Sequence, residues 1–422
     1  MTGPERPPPI SIDDLVEPRF PPDVRAVLDL MGEAGAGVDL RPEALMAAAA
    51  ETTGLDGFGP DDFVERLDIL CWSLRHEARL NHAGLLAQSL LLTGLLSNRL
   101  LVEDLVARHP EILAEAIVSP IIICGLPRTG TTHLHNLMSA DPALRSLPYW
   151  ESLEPVLAEA DRPAEGQADP RIERCDTALS FVNAALPEFR RMHEMTVDHV
   201  HEEIQLLAVD FSSMLFETIA PMPTWRDHYL ARDQRPSYAY LRKVLQALQW
   251  LRGGTRWVLK SPQHLEQFPA LVDTFPDAVF VVTHRDPVSV TASMVTMLGY
   301  SARLGQDRVD AERIGRYWAD RLGRMLAACV ADRHLLPADR SIDVLFDRFM
   351  EDDLAMVRRI YDLAGQPVTA RSEAAMAAFM EDHPRGRYGG VRYDLGQFGI
   401  DGDTLSDSMA PYIERFGVTR EA

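Results

Sequence analysis

The densest group of residues able to do chemistry is Ile121-Ile122-Ile123-Cys124-Gly125-Leu126-Pro127-Arg128-Thr129-Gly130-Thr131-Thr132. An apolar, β-like run feeds a glycine-bracketed turn, and helix-like sequence continues through Met138. A strand, loop and helix N-terminus in that order presents backbone N–H groups to phosphate oxygens, and the helix dipole adds to the attraction. The Gly-x4-Gly spacing is shared with nucleotide-binding P-loops, yet Thr131 stands where a Walker loop needs lysine. The positive side chain comes earlier, at Arg128. That displacement points away from a typical ATPase or GTPase.

Metal chemistry finds little support. Cys71, Cys124, Cys175 and Cys329 are widely separated, with neither a paired metal spacing nor a disulfide framework. His199 and His201 lack His-Glu-x-x-His spacing and no third ligand is fixed, so no metal is expected. Cys124, in an apolar strand, reads as a buried small residue rather than a nucleophile.

The Pro-Arg-x-Gly-Thr-Thr form of residues 127–132 resembles the 5′-phosphosulfate-binding loop of sulfotransferases that use 3′-phosphoadenosine 5′-phosphosulfate (PAPS), in particular their broad bacterial branch. Two further stretches strengthen the resemblance. A strand-like run from Ala278 turns at His284-Arg285-Asp286-Pro287, and Arg285 and Ser293 match the family's arginine-to-serine spacing in its 3′-phosphate-binding motif. Trp257-Val258-Leu259-Lys260-Ser261-Pro262-Gln263-His264 is similar to the family's Lys-Ser-Pro region. A basic, glycine-rich loop, His383 to Tyr393, occupies the place where sulfotransferases often cover the 3′-phosphate, without the Arg-Lys-Gly form of cytosolic animal relatives.

The resemblance implies sulfonate transfer from PAPS to an acceptor hydroxyl, on a small molecule or lipid-like compound. It assigns donor binding to Pro127, Arg128, Thr129, Gly130, Thr131, Thr132, Arg285, Ser293, Arg385 and Arg387. Arg128 becomes an electrostatic clamp on the sulfonate and departing phosphate, since arginine's high pKa disfavours general-acid work. Lys260 assists in the same stabilisation. The acceptor's proton goes to His264, two residues beyond the place of the animal enzymes' histidine, or to Glu202 or Glu203, because other branches use an acidic base. A P-loop kinase using ATP and magnesium, and a non-catalytic nucleotide-binding scaffold, are the alternatives.

The formal charge is −21, from 63 acidic and 42 basic residues. That disfavours a general nucleic-acid surface while permitting a local basic pocket. No signal core and no uninterrupted span of transmembrane length are visible, although Leu86 to Leu96 is strongly apolar, so a cytoplasmic setting is expected.

The elements that must position these residues read as an α/β protein: a P-loop-like parallel sheet flanked by helices, with an N-terminal helical region and a long helical insertion. Expected strands are Pro120 to Cys124, Arg256 to Leu259, Ala278 to Thr283 and Ser341 to Leu345, short and separated by helix-bearing segments. The expected divisions are a proline-rich tail or packing arm at 1–24, a helical region at 25–115, and an α/β domain at 116–422. Within the last, an insertion at about 145–254 is placed to shape the acceptor site. The helical regions also leave a homodimer interface open.

Overall fold

Four short runs carry the sheet: β1 (Ile121–Cys124), β2 (Val258–Ser261), β3 (Val279–His284) and β4 (Ser341–Leu345). In the computed structural model, which describes residues 7–164 and 166–421, they pair in parallel in the order β2-β1-β3-β4. β1 is central, with Ile123 opposite Lys260 on one side and Val281 on the other. β1, β2 and β3 are buried throughout, as strands covered on both faces must be. Side chains alternate between two cores: Ile122, Cys124, Phe280 and Val282 enter the larger, whereas Ile121, Ile123 and Val281 enter one packed by Leu134 and Leu137. β2 begins two residues later than expected and extends through Ser261, which places Lys260 inside the strand.

The N-terminal helices 22–35, 42–53, 63–76 and 82–108 precede the sheet. Helix 82–108 is long and apolar enough to cross a membrane by length and composition alone. Here Leu92, Leu96 and Leu100 join the larger core, and the buried Arg99 donates to Asp210 Oδ1 at 2.9 Å and to the carbonyls of Phe58 and Pro60. A charge paired by tertiary contacts marks a core helix of a folded domain. The preceding extended segment also packs: Ile10 N–H donates to Gly390 O at 3.1 Å, and Arg392 N–H donates to Ile10 O at 2.7 Å. It therefore braces the exit of the basic loop at 383–393. Residues 1–6 of the proline-rich stretch lie outside the described residues.

Between β1 and β2 run the helices 149–153, 170–185, 204–208, 223–231 and 235–252. Their connecting segment at 186–203 returns to the sheet. His201 N–H donates to Leu147 O at 2.7 Å, fixing this segment beside the carboxyl ends of the strands. Parallel α/β sheets collect ligands at those ends.

Candidate active site

The chain leaves β1 at Cys124 and turns through Gly125 to Gly130 into the helix 131–139. Glycine is required at 125, since a Cβ there would stand 1.9 Å from Thr283 Oγ1. Gly130 caps the helix at φ +84° with no side-chain cap, so the first-turn amides keep their donors available. Arg128 is also left-handed, at φ +70°, a strained conformation for a non-glycine residue and one that concentrates at functional sites.

The three threonines divide. Thr131 and Thr132 line the cleft beside the loop. Thr129 faces inward: its buried hydroxyl donates to Leu126 O at 2.7 Å and sits 2.7 Å from Thr283 Oγ1. The expected donor-facing hydroxyl at Thr129 is thus engaged in holding the loop to β3. Pro127 is half-buried in the turn and is not on the cleft wall.

The cleft has a volume of about 790 Å³. Its walls are the 128–132 loop, residues 190–200 of the insertion, and the loop at 383–389. Six arginines reach it, namely Arg128, Arg190, Arg191, Arg285, Arg385 and Arg387, a local basic surface in a chain of charge −21. Arg128 Nε donates to Ser293 Oγ at 3.0 Å, and Arg128 Nη1 donates to Met192 O. Burial foremost, with Arg285 nearby, pulls the Arg128 pKa below its usual range. Ser293, expected to meet phosphate, is buried and positions Arg128.

Arg285 lies at the end of β3 over the Phe346 ring, 4.0 Å from its centroid, and donates to Arg128 O at 2.6 Å. Its Nε and Nη2 meet the Glu421 carboxylate at 2.5 and 2.7 Å. Arg385 pairs with Asp353, and Arg387 pairs with Glu194, which also accepts the Tyr388 hydroxyl at 2.7 Å. Glu194 therefore ties the insertion to the C-terminal loop across the cleft.

The other expected catalytic residues form a separate group, with Lys260, Glu203 and His264 buried and Glu202 half-buried. Lys260 is 1 % exposed and its ammonium pairs with Glu202. Glu203 is fully buried and accepts the Lys260 backbone N–H at 3.0 and 2.8 Å. His264 is equally buried; its Nδ1 lies 2.8 Å from the Tyr238 hydroxyl, and its Nε2 lies 3.3 Å from Glu203 without the alignment of a hydrogen bond. None of these four lines the cleft. The order of burial separates their parts: Glu203 and His264 fix the end of β2, while Glu202 holds the only lysine there.

His133, His193, His199 and His383 line the cleft; of these His193 and His199 lie on the insertion, and the Lys-Ser-Pro pattern gave no reason to choose them. Their rings stand 5.3 Å apart, and His201 lies 5.9 Å behind His199. Burial first, then Lys260, lowers the His199 pKa to about 4; burial and the neighbouring histidines, followed by Lys260, hold His201 well below its ordinary value. His193 is lowered too, by burial, His199, Lys260 and Arg128 in that order. Among the described residues, His199 Nε2 and His201 Nδ1 are buried with no hydrogen-bond partner. Neutral imidazoles with unmet polar atoms thus stand within electrostatic reach of Lys260. The dense run His193 to His201 was the available signal in the sequence.

The fold and site define an α/β protein whose β1-to-helix loop has a P-loop-like glycine spacing and lacks the Walker lysine. The sequence pattern of the sulfotransferase family matches residues 120–370, and the chain belongs to that family. It is 23 % identical over 327 residues to the omega-hydroxy-beta-dihydromenaquinone-9 sulfotransferase Stf3 of Mycobacterium bovis, a match covering 73 % of this chain and 78 % of that protein. The crystal structure of sulfotransferase STF1 from Mycobacterium tuberculosis H37Rv is similar over 87 % of this chain and 98 % of that one, with a TM-score of 0.76 and 30 % identity. That of STF9 from Mycobacterium avium covers 92 % and 99 %, with a TM-score of 0.80 and 26 % identity. The protein is therefore an enzyme of sulfonyl transfer with the fold of bacterial sulfotransferases.

Proposed function

We propose that the protein transfers the sulfonate of PAPS to a hydroxyl on a small, lipid-like acceptor, in a cytoplasmic setting. The observation that carries this is the convergence of the 128–132 loop, Arg285 and the 385–387 loop on one arginine-lined cleft. A nucleotide with anionic groups at both its 3′ and 5′ positions needs cations at two places, and these segments supply them. The unmet polar atom of His199, which lines the cleft, fits a polar ligand there.

In this reading the first-turn amides, Thr131 and Thr132 take the 5′-phosphosulfate, and Arg285 with Arg385 or Arg387 takes the 3′-phosphate. PAPS supplies the activated sulfonate. Arg128, held by Ser293 and Met192 O, supplies fixed positive charge where charge develops on the departing phosphate. Lys260 serves the same end once the incoming anion competes with Glu202 for its ammonium. His199 is the cleft-facing group suited to take the acceptor's proton. A base of pKa about 4 is weak, but part of that depression comes from Lys260, and a sulfonate beside the ammonium offsets it. His264, held by the Tyr238 hydroxyl, packs behind Glu203.

The acceptor class rests on the relative named for omega-hydroxy-beta-dihydromenaquinone-9, a lipid-like molecule with a terminal hydroxyl. The test is label transfer from sulfur-labelled PAPS to a panel of isoprenoid alcohols, long-chain alcohols, phenols and sugars. Label in the apolar alcohols supports the proposal. Transfer confined to sugars would refute the acceptor class, and absence of transfer together with absence of nucleotide binding would refute the donor.

A further inference from the structure

The residue matched to the 3′-phosphate already holds an anion. Glu421 meets Arg285 in a side-by-side fork, Nε to Oε1 at 2.5 Å and Nη2 to Oε2 at 2.7 Å, while the guanidinium stacks on Phe346. Arginine offers phosphate oxygens the same pair of parallel donors, so a carboxylate seated this way excludes phosphate from them. Both partners are partly shielded, with side-chain exposures of 21 % and 36 %.

The contact is built from the chain that leads to it. The helix 410–416 lays Phe416 on the His284 ring at 4.0 Å between centroids. His284 is fixed in turn by Asp343, 2.9 Å from its Nε2. Val418 is buried and donates its N–H to Ile413 O at 3.0 Å. Arg420 pairs with Asp403 at 2.6 Å, and Glu421 N–H donates to Asp286 Oδ2 at 3.1 Å. A cavity of about 310 Å³ lies beneath this strap, and Arg285 and Phe346 line both it and the main cleft. The strap is thus anchored at its base, with Glu421 at the boundary between the two spaces.

We infer that Glu421 is an internal competitor for the nucleotide's 3′-phosphate, so that residues 418–421 form an autoinhibitory strap over Arg285. This rests on the reading of Arg285 as the 3′-phosphate ligand. Binding of the bisphosphate product displaces the carboxylate, and release of the product lets it return. The strap therefore weakens product retention and raises the donor concentration needed for half-saturation. It acts on ligands that carry a 3′-phosphate and leaves those without one unaffected.

The test is calorimetry on the full chain with 3′-phosphoadenosine 5′-phosphate, and with adenosine 5′-phosphate as control, for wild type, Glu421→Gln and Glu421→Ala. An exposed to half-buried Arg–carboxylate pair contributes modestly, so both variants are expected to bind the bisphosphate about threefold to fivefold more tightly. Their affinity for adenosine 5′-phosphate stays at the wild-type value. Unchanged or weaker bisphosphate binding in both variants would overturn the strap, as would an equal gain for both nucleotides. If Arg285→Ala binds the bisphosphate as well as wild type does, the underlying assignment fails instead, and the two failures are told apart. Unfolding curves for each variant show whether a change in affinity is accompanied by a loss of fold.

Discussion

Replacing Gly125 by alanine tests how tightly the loop after β1 is set against β3. The added methyl carbon would stand 1.9 Å from Thr283 Oγ1, 3.1 Å from Thr129 Oγ1 and 3.2 Å from Thr131 Cγ2. Rotating Thr283 away relieves the first clash but breaks its 2.7 Å contact with Thr129, itself bonded to Leu126 O. Overpacking of this kind costs about 1–3 kcal/mol. Thr283→Ala alone removes the obstructing oxygen and one hydrogen bond, a loss of about 1 kcal/mol. The double variant should then be more stable than the sum of the two losses implies, by a coupling of about 1–2 kcal/mol. Urea unfolding of the four proteins measures this directly, and bisphosphate affinity follows the loop itself. Additive losses, within about 0.5 kcal/mol, would refute the claim that Thr283 is what forbids a side chain at 125.

Other outcomes follow from the same geometry. Thr129→Val should lose about 1–2 kcal/mol of stability yet hold bisphosphate affinity within about twofold, because its hydroxyl faces β3; a large affinity loss in a stable variant would contradict that. His264→Ala should destabilise by about 1–3 kcal/mol, as the buried Tyr238 hydroxyl loses its partner. His199→Asn should instead leave the melting temperature near wild type and slow labelled sulfonate transfer by about 10²–10⁴-fold; the reverse pattern would return the base to His264. His199 also gives a pH signature. Its folded pKa of about 4 lies below the unfolded value near 6.5, so the unfolded chain gains a proton first and stability falls as pH drops through that window. The slope from this residue is at most about 1.4 kcal/mol per pH unit, and His199→Asn should flatten the unfolding profile there.

Much of this arrangement was legible in the sequence because it is local. The four strands are short apolar runs followed by turn signals, and the loop motif fixes its own strand, turn and helix, so the parallel sheet and the 128–132 cradle could be read directly. Arg285 was accessible for the same reason, at the exit of a strand. What escaped depends on contacts between distant segments. Nothing near Thr129 says that its hydroxyl turns to Thr283, and nothing near Ser293 says that Arg128 takes its oxygen. The proximity of His264 to the Lys-Ser-Pro stretch made it attractive, but β2 runs on through Ser261 and the following turn carries the ring beneath the sheet edge, against Tyr238. His193 and His199 reach the cleft only because the insertion returns to pair near Leu147. The hold of Glu421 on Arg285 spans 136 positions and has no local signature.

The most direct test of the donor assignment is calorimetric binding of 3′-phosphoadenosine 5′-phosphate beside ATP with Mg²⁺, for wild type and Arg285→Ala. Loss of two charge-assisted hydrogen bonds predicts selective bisphosphate binding by wild type and an affinity about 10- to 100-fold weaker in the variant. A preference for ATP, or bisphosphate binding untouched by Arg285→Ala in a folded protein, would contradict the account.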